Sequence, residues 1–291
     1  MILLLKVIAW LVGHIPRFML LPIGNTLGAI AYRCARRHRA TAHENIEKSF
    51  KGKVTPEEVK IIATGTFINL ALNLLEFMRL PWLNERSLKK YVEVIGLEHL
   101  EAAHAKGKGA IICTAHFGNW ELLGATFGLI GYPLEVVVRN PDHPVMDSFV
   151  AWVRTTSSGN RSIHKSNAMR GLLRALKDNG TAAILIDQNV TRSEGVFIDF
   201  FGRKACTNKG PARLAVASGT VVLPTFIIRD GLTHRLVISE PLKLVDTGNR
   251  DSDTLENTAL MTQRVEEIIS EYPEQWFWVH RRWKTRPDSP M

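Results

Sequence analysis

The chain has 291 residues, of which 45% are hydrophobic and 22% charged, and its formal net charge is +9. These proportions describe a globular protein able to bury a core, with no low-complexity tract and no internal repeat. The positive surplus points to phosphates, anionic lipid headgroups or an acidic carrier protein; nucleic acid is not expected, because no nucleic-acid module is present and the basic residues do not collect on one predicted helix.

Residues 1–32 are mostly apolar, and Arg33, Arg36, Arg37 and Arg39 follow together. Lys6, His14, Pro16, Arg17 and Pro22 interrupt the run, so it is not an unbroken span of about 20 residues. Lys6 follows the first apolar residues and no small-residue cleavage site closes them, which argues against a signal peptide. Residues 1–35 are therefore expected to form a membrane anchor that spans once or lies in the interface, with the basic cluster on the cytoplasmic side. The competing reading is a buried helical hairpin of a soluble protein. A helix is expected over 37–50. Thr55-Pro56-Glu57-Glu58 then opens another through a capping box, continued by the apolar stripe Ile61, Phe67, Leu70, Leu74 and Phe77.

From about residue 90 short apolar runs alternate with helical patterns. Strands are expected at 91–95, 110–114, 134–138, 182–186 and 221–228, with antiparallel or edge strands at 196–200 and 235–239. Helices are expected near 97–105, 119–130, 142–157, 167–178, 211–218 and 254–271. Such alternation predicts an α/β fold: a mixed, largely parallel sheet flanked by helices. Cys34, Cys113 and Cys206 form no disulfide framework and have no metal-ligand spacing, so a reducing compartment is expected.

The run Gly109-Ala110-Ile111-Ile112-Cys113-Thr114-Ala115 reads as a buried strand ending at His116, and active sites in open α/β sheets lie beyond the carboxyl ends of strands. Phe117-Gly118-Asn119-Trp120-Glu121 leads into a helix, and a tight loop at Gly118 is expected to fold Glu121 back toward the imidazole. A hydroxyl attacks poorly until a base removes its proton, work suited to a histidine. A carboxylate on the other ring nitrogen would fix the tautomer and stabilise the imidazolium. No G-x-S-x-G elbow supplies an enzyme nucleophile, so the acceptor hydroxyl itself is expected to attack. His-x4-Glu alone is a weak signal; its place between a buried strand and a helix gives it weight.

Thr114-Ala115-His116-Phe117-Gly118-Asn119-Trp120-Glu121 resembles the active-site signature of the bacterial lipid A biosynthesis (lauroyl/myristoyl) late acyltransferases, within the lysophospholipid acyltransferase-like superfamily. Ile186-Asp187-Gln188 with Phe200-Phe201-Gly202-Arg203 resembles a second block of that family. The segment from Gly210-Pro211-Ala212 to Val222-Leu223-Pro224 resembles a third, and Pro273-Glu274-Gln275-Trp276-Phe277-Trp278-Val279-His280-Arg281-Arg282 its C-terminal signature. The resemblance implies a catalytic domain over 36–291 behind the anchor, at the cytoplasmic side of the cell inner membrane. It implies that His116 is the general base and Glu121 its orienting carboxylate. The acyl donor would be a thioester of acyl carrier protein or coenzyme A, and no cofactor or metal is expected. The acceptor would be the 3-hydroxyl of an acyl chain already on a Kdo-bearing disaccharide precursor.

Arg154 is the candidate for holding the developing oxyanion, against a solvated helix face. Arg139 is placed at a strand end, to bind substrate phosphate or pair with Asp142. Asp187 and Gln188, at another strand end, either shape the acceptor pocket or support the loop. Asn119 and Trp120 are candidate substrate-binding residues; Asn119 otherwise caps the next helix, and Trp120 either walls the acyl pocket or only packs. Lys209, before a predicted helix start, suits an anion or is ordinary loop charge. Trp276, Trp278, Trp283, Arg281, Arg282 and Lys284 fit a membrane-interface belt and a packed terminal segment equally. Other readings to test are acylation of a lysophospholipid, an aminolipid or a mannosylated inositide, a hydrolase, and a non-catalytic membrane-surface binding protein.

Overall fold

A computed structural model of the chain describes residues 1–138, 143–164 and 167–287. Arg139 and Asp142 lie outside the described residues. The chain begins with α1 (Ile2–His14) and α2 (Leu20–Cys34), joined by a turn at Arg17–Met19 and bent by 104°. The break follows from Pro16, which biases Ile15 toward the extended backbone it adopts. After α3 (Arg36–Ser49), α4 (Pro56–Phe77) opens on the expected capping box: the Glu58 amide donates to Thr55 Oγ1, and the Thr55 amide donates to Glu58 Oε2 at 2.6 Å.

The helix α2 lies directly on α4 because two glycines remove the intervening side chains. A Cβ on Gly24 would sit 2.3 Å from Leu72 Cδ2, and one on Gly28 would sit 2.4 Å from Ile68 Cα. The other sides of α1 and α2 turn outward, and Leu3, Leu4, Trp10, Leu11, Phe18 and Ile30 are exposed. By length and composition α4 could itself cross a membrane, but it is packed between α2, α3 and the chain end and serves as a core helix.

Beyond α5 (Glu85–Tyr91) the expected alternation holds. It runs β1 (Val92–Ile95), α6 (Leu97–Ala105), β2 (Ala110–Thr114), α7 (Trp120–Leu129), β3 (Leu134–Val138), α8 (Pro144–Ser158), β4 (Arg161–His164), α9 (Ala168–Lys177) and β5 (Thr181–Leu185). An antiparallel hairpin, β6 (Gly195–Phe200) with β7 (Arg203–Asn208), stands apart from the main sheet. The chain continues through α10 (Gly210–Ser218), β8 (Val222–Asp230), β9 (Thr233–Ile238) and α11 (Arg250–Glu271). The seven-stranded sheet has the order β1-β9-β8-β2-β5-β3-β4, with every pairing parallel except β8 with β9. This is the mixed, largely parallel α/β sheet expected. The sequence reading missed β4 and β7; β9, expected as an antiparallel or edge strand, is antiparallel to β8 and lies inside the sheet.

Both faces of the sheet are covered, which is why β2 is buried at every position and apolar at four of its five. Ile111 and Cys113 face a core shared with Trp276 and Trp278, while Ala110 and Ile112 face Leu122, Phe127 and Val153. The aromatic chain end belongs to the interior: Trp276 and Trp278 are buried, and Trp283 nearly so. Arg282 has no exposed surface, and its guanidinium donates to the carbonyls of Cys206 and Gln188. Of the two readings of that segment, the packed one holds for these four residues.

Candidate active site

The central strands β2 and β5 are parallel neighbours with Thr114 opposite Leu185. Two residues beyond each strand the chain therefore brings His116 beside Asp187. The imidazole Nδ1 lies 2.9 Å from Asp187 Oδ1, and the His116 amide donates to Asp187 Oδ2 at 3.0 Å. Trp276 Nε1 donates to the same Oδ2 at 2.8 Å. Burial alone would raise the Asp187 carboxyl. Its attraction to His116, with the bonds from His116 and Trp276, holds it below its ordinary value. A carboxylate accepting at Nδ1 leaves the proton there and turns the Nε2 lone pair outward. On that side Gln188 Nε2 stands 3.3 Å from His116 Nε2, and the histidine side chain is 22% exposed.

The carboxylate at His116 Nδ1 is thus Asp187, where Glu121 was expected. Glu121 does fall in the first turn of α7, but Arg154 of α8 grips it in a two-pronged fork, Nε to Oε2 at 2.9 Å and Nη2 to Oε1 at 2.5 Å. The bonds to Glu121 raise the Arg154 guanidinium against the opposing effect of burial. The fork sits at a narrow cleft of about 70 Å³ between α7, α8 and strands β3 and β5. Trp120, Leu123, Leu134, Val136, Val153 and Leu185 make most of its wall apolar. The Trp120 ring meets His116 edge-on at 5.3 Å, and Phe277 packs against both. Histidine, fork and apolar cleft therefore adjoin one another.

Gly118 makes the loop possible. Its φ is +56°, and a Cβ there would lie 1.7 Å from the Ile227 carbonyl oxygen, so only glycine lets the loop rest on β8. The chain end closes over it: Phe117 bridges Trp276, Gly118 donates to the Gln275 carbonyl at 2.9 Å, and Phe277 donates to the His116 carbonyl.

Of the two readings offered for Asn119 and for Asp187, substrate contact and structural support, the structure shows the supporting one. Asn119 is 1% exposed; it accepts from the Leu122 amide, capping α7, and donates to Glu76 Oε2 at 2.8 Å. Asp187 is 3% exposed, and its oxygens are taken by His116 and Trp276. Lys209 begins α10 and makes no hydrogen bond or ion pair with His116 or Glu121 among the described residues. The residues missed altogether are Asn69, Asn73, Glu76 and Arg229. Their signal was available: polar residues interrupt the apolar helix α4 at positions 69, 73 and 76, one helical face, where they must be buried with partners.

Residues 1–285 match the family model of the bacterial lipid A biosynthesis acyltransferases. The chain is 29% identical over 285 residues to the lipid A biosynthesis lauroyltransferase of Escherichia coli, covering 97% of this chain and 90% of that one. It is 30% identical over 286 residues to the palmitoleoyltransferase of the same organism, covering 96% and 90%. A phosphatidylinositol mannoside acyltransferase of Mycobacterium tuberculosis is 28% identical over 220 residues, covering 72% and 66%. With one family model spanning almost its whole length, this chain belongs to the bacterial lipid A biosynthesis acyltransferase family and is an acyltransferase.

Proposed function

We propose that the protein transfers a fatty acyl group from an acyl thioester to a hydroxyl of a lipid A precursor, with His116 as general base. The observation that carries this reading is the imidazole held at Nδ1 by buried Asp187, with Nε2 turned toward the open side next to an apolar cleft. The acceptor hydroxyl takes the position of the Gln188 amide and donates its proton to Nε2 as its oxygen bonds to the thioester carbonyl carbon. Asp187 stabilises the imidazolium that results. As the carbon–sulfur bond breaks, the thiolate leaves with the proton from Nε2. Arg154, held in place by Glu121, faces the charge that gathers on the carbonyl oxygen. The apolar walls of the cleft suit the end of the acyl chain next to the reacting carbonyl.

The exposed apolar residues of α1, α2 and the turn between them favour a bilayer surface for residues 1–35, and the 104° bend suits helices lying along the interface. The cytoplasmic face of the inner membrane fits a donor made in the cytoplasm, and the net charge of +9 favours the acidic carrier protein over coenzyme A. The mannoside acyltransferase relative supports a second acceptor class, a mannosylated inositide.

The test is to incubate the purified protein in vesicles with labelled acyl carrier protein or acyl coenzyme A and a panel of lipid acceptors. Acylated lipid A precursor is the expected product, and His116→Ala should reduce its formation about 10²- to 10⁴-fold. Free fatty acid without acylated lipid would move the reading to a hydrolase, and an unaffected His116→Ala would remove the proposed base.

A further inference from the structure

The mechanism uses the upper side of the loop 116–121; its underside rests on a polar network for which acyl transfer gives no direct use. Asn73 Nδ2 donates to the Gly118 carbonyl at 2.6 Å, and Asn69 Nδ2 donates to the same oxygen at 3.2 Å. Asn119 Nδ2 donates to Glu76. Arg229 of β8 holds all three α4 side chains at once, through Asn69 Oδ1 at 2.9 Å, Asn73 Oδ1 at 2.6 Å and Glu76 Oε2 at 2.7 Å. Arg17, from the turn between α1 and α2, lies 3.6 Å from the other Glu76 oxygen.

A buried carboxylate–guanidinium pair is a weak way to gain stability, because desolvation consumes most of the attraction. What this one does specifically is fix two atoms of the loop, the Gly118 carbonyl and the Asn119 side chain. Asn119 is the cap of α7, so its position sets where α7 starts and where Glu121 stands. The Gly118 carbonyl sets the height of the backbone that leaves His116. We infer that Glu76 is a positioning residue for the reaction, acting through Asn119 to hold His116 and Glu121 at one spacing, with Asn69 and Asn73 locking the adjoining carbonyl. The inference rests on His116 being the base.

The test exchanges the two ends of the Glu76–Asn119 bond in the full-length enzyme. Rates are measured per folded molecule, with the folded fraction taken from the thermal transition. Glu76→Gln replaces the carboxylate that holds both the Asn119 amide and Arg229 with a neutral carboxamide, a weaker acceptor that leaves Arg229 without its counter-charge, and kcat should fall at least about tenfold, since small displacements of reacting groups cost this much or more. The KM values for donor and acceptor should stay within about twofold. Asn119→Asp alone sets two carboxylates against each other and should be impaired as much or more. The double variant Glu76→Gln with Asn119→Asp rebuilds the bond with its polarity reversed and keeps a good helix cap. It should recover kcat to within about threefold of the unaltered enzyme.

A network that served only to stabilise the fold would not show this recovery per folded molecule, and a double variant no faster than the slower single one would overturn the inference. His116→Ala in the same assay separates the two claims. If it stays active, the base assignment has failed whatever the exchange shows. If it is inactive and the exchange does not recover, only the positioning role has failed.

Discussion

Above the loop 116–121, Arg154 grips Glu121 with side chains 37% and 17% exposed; beneath it, Arg229 grips Glu76 at 8% and 5%. The chemistry is the same and the surroundings are not. A guanidinium–carboxylate pair open to water contributes about 0–1 kcal/mol to stability and can be parted by an arriving substrate. A pair deep in the protein loses about 3–5 kcal/mol when one partner is removed, because the other charge is stranded. On the proposed reading the upper pair acts on a ligand and the lower one keeps the loop where it is. The loop is only six residues long, and it separates a working surface from a fixed one.

The largest effect on the working side belongs to the bond between the two strand ends. Asp187→Asn replaces the acceptor at His116 Nδ1 with an amide that can present a donor instead, which favours the wrong tautomer. Activity should fall about 10²- to 10⁴-fold, with thermal stability measured alongside. The folded Asp187 pKa lies below its ordinary value, so its stabilising contribution is complete above about pH 4 and is lost as pH falls through the lower folded value. The variant should lack that acid-side loss. If it retains it, Asp187 is not the carboxylate coupled to His116.

The two pairs should then separate in opposite directions. Arg154→Ala should lower kcat about 10²-fold while changing unfolding free energy by less than about 1 kcal/mol. Arg229→Ala should lose about 3–5 kcal/mol in the same denaturant titration. Equal stability losses would mean that exposure does not distinguish the pairs, and an Arg154→Ala enzyme with full activity would reduce the upper fork to a surface contact.

How much of this was legible in the sequence depends on the kind of neighbour. The strands β2 and β3 have the predicted bounds because buried parallel strands are continuous apolar runs with sharp ends. The strands β4 and β7 were missed because Arg-Ser-Ile-His and Arg-Lys-Ala-Cys-Thr-Asn carry no such run. His116 was placed correctly at a strand terminus for the same reason that β2 was found. Its carboxylate partner was misassigned because spacing along the chain favoured Glu121, whereas the contact to Asp187 is made by strand order. The apolar run alone could not show that β5 lies next to β2. Arg282 was left between an interface belt and a packed chain end because an arginine's burial cannot be read until the carbonyls that satisfy it are known.

The smallest expected effect is also the most direct probe of the fixed side. His234 of β9 is 1% exposed, with Nε2 3.5 Å from Glu76 Oε2. Burial, with Arg229 and Arg17 nearby, outweighs the attraction of Glu76 and pushes its pKa down from 6.5 to about 4. The unfolded chain therefore binds a proton at this site, between those two values, that the folded protein refuses, and stability declines as pH falls through that window. At pH 5.5 the loss relative to neutral pH is on the order of 1 kcal/mol for this one group. His234→Asn removes the titration, so unfolding free energies at pH 7.5 and 5.5 should differ by that much less in the variant than in the unaltered protein. An identical pH dependence in both would mean that the histidine takes up its proton as readily in the fold as out of it. The underside of the loop would then be open to water, and the contrast with the Glu121–Arg154 side would fail at its base.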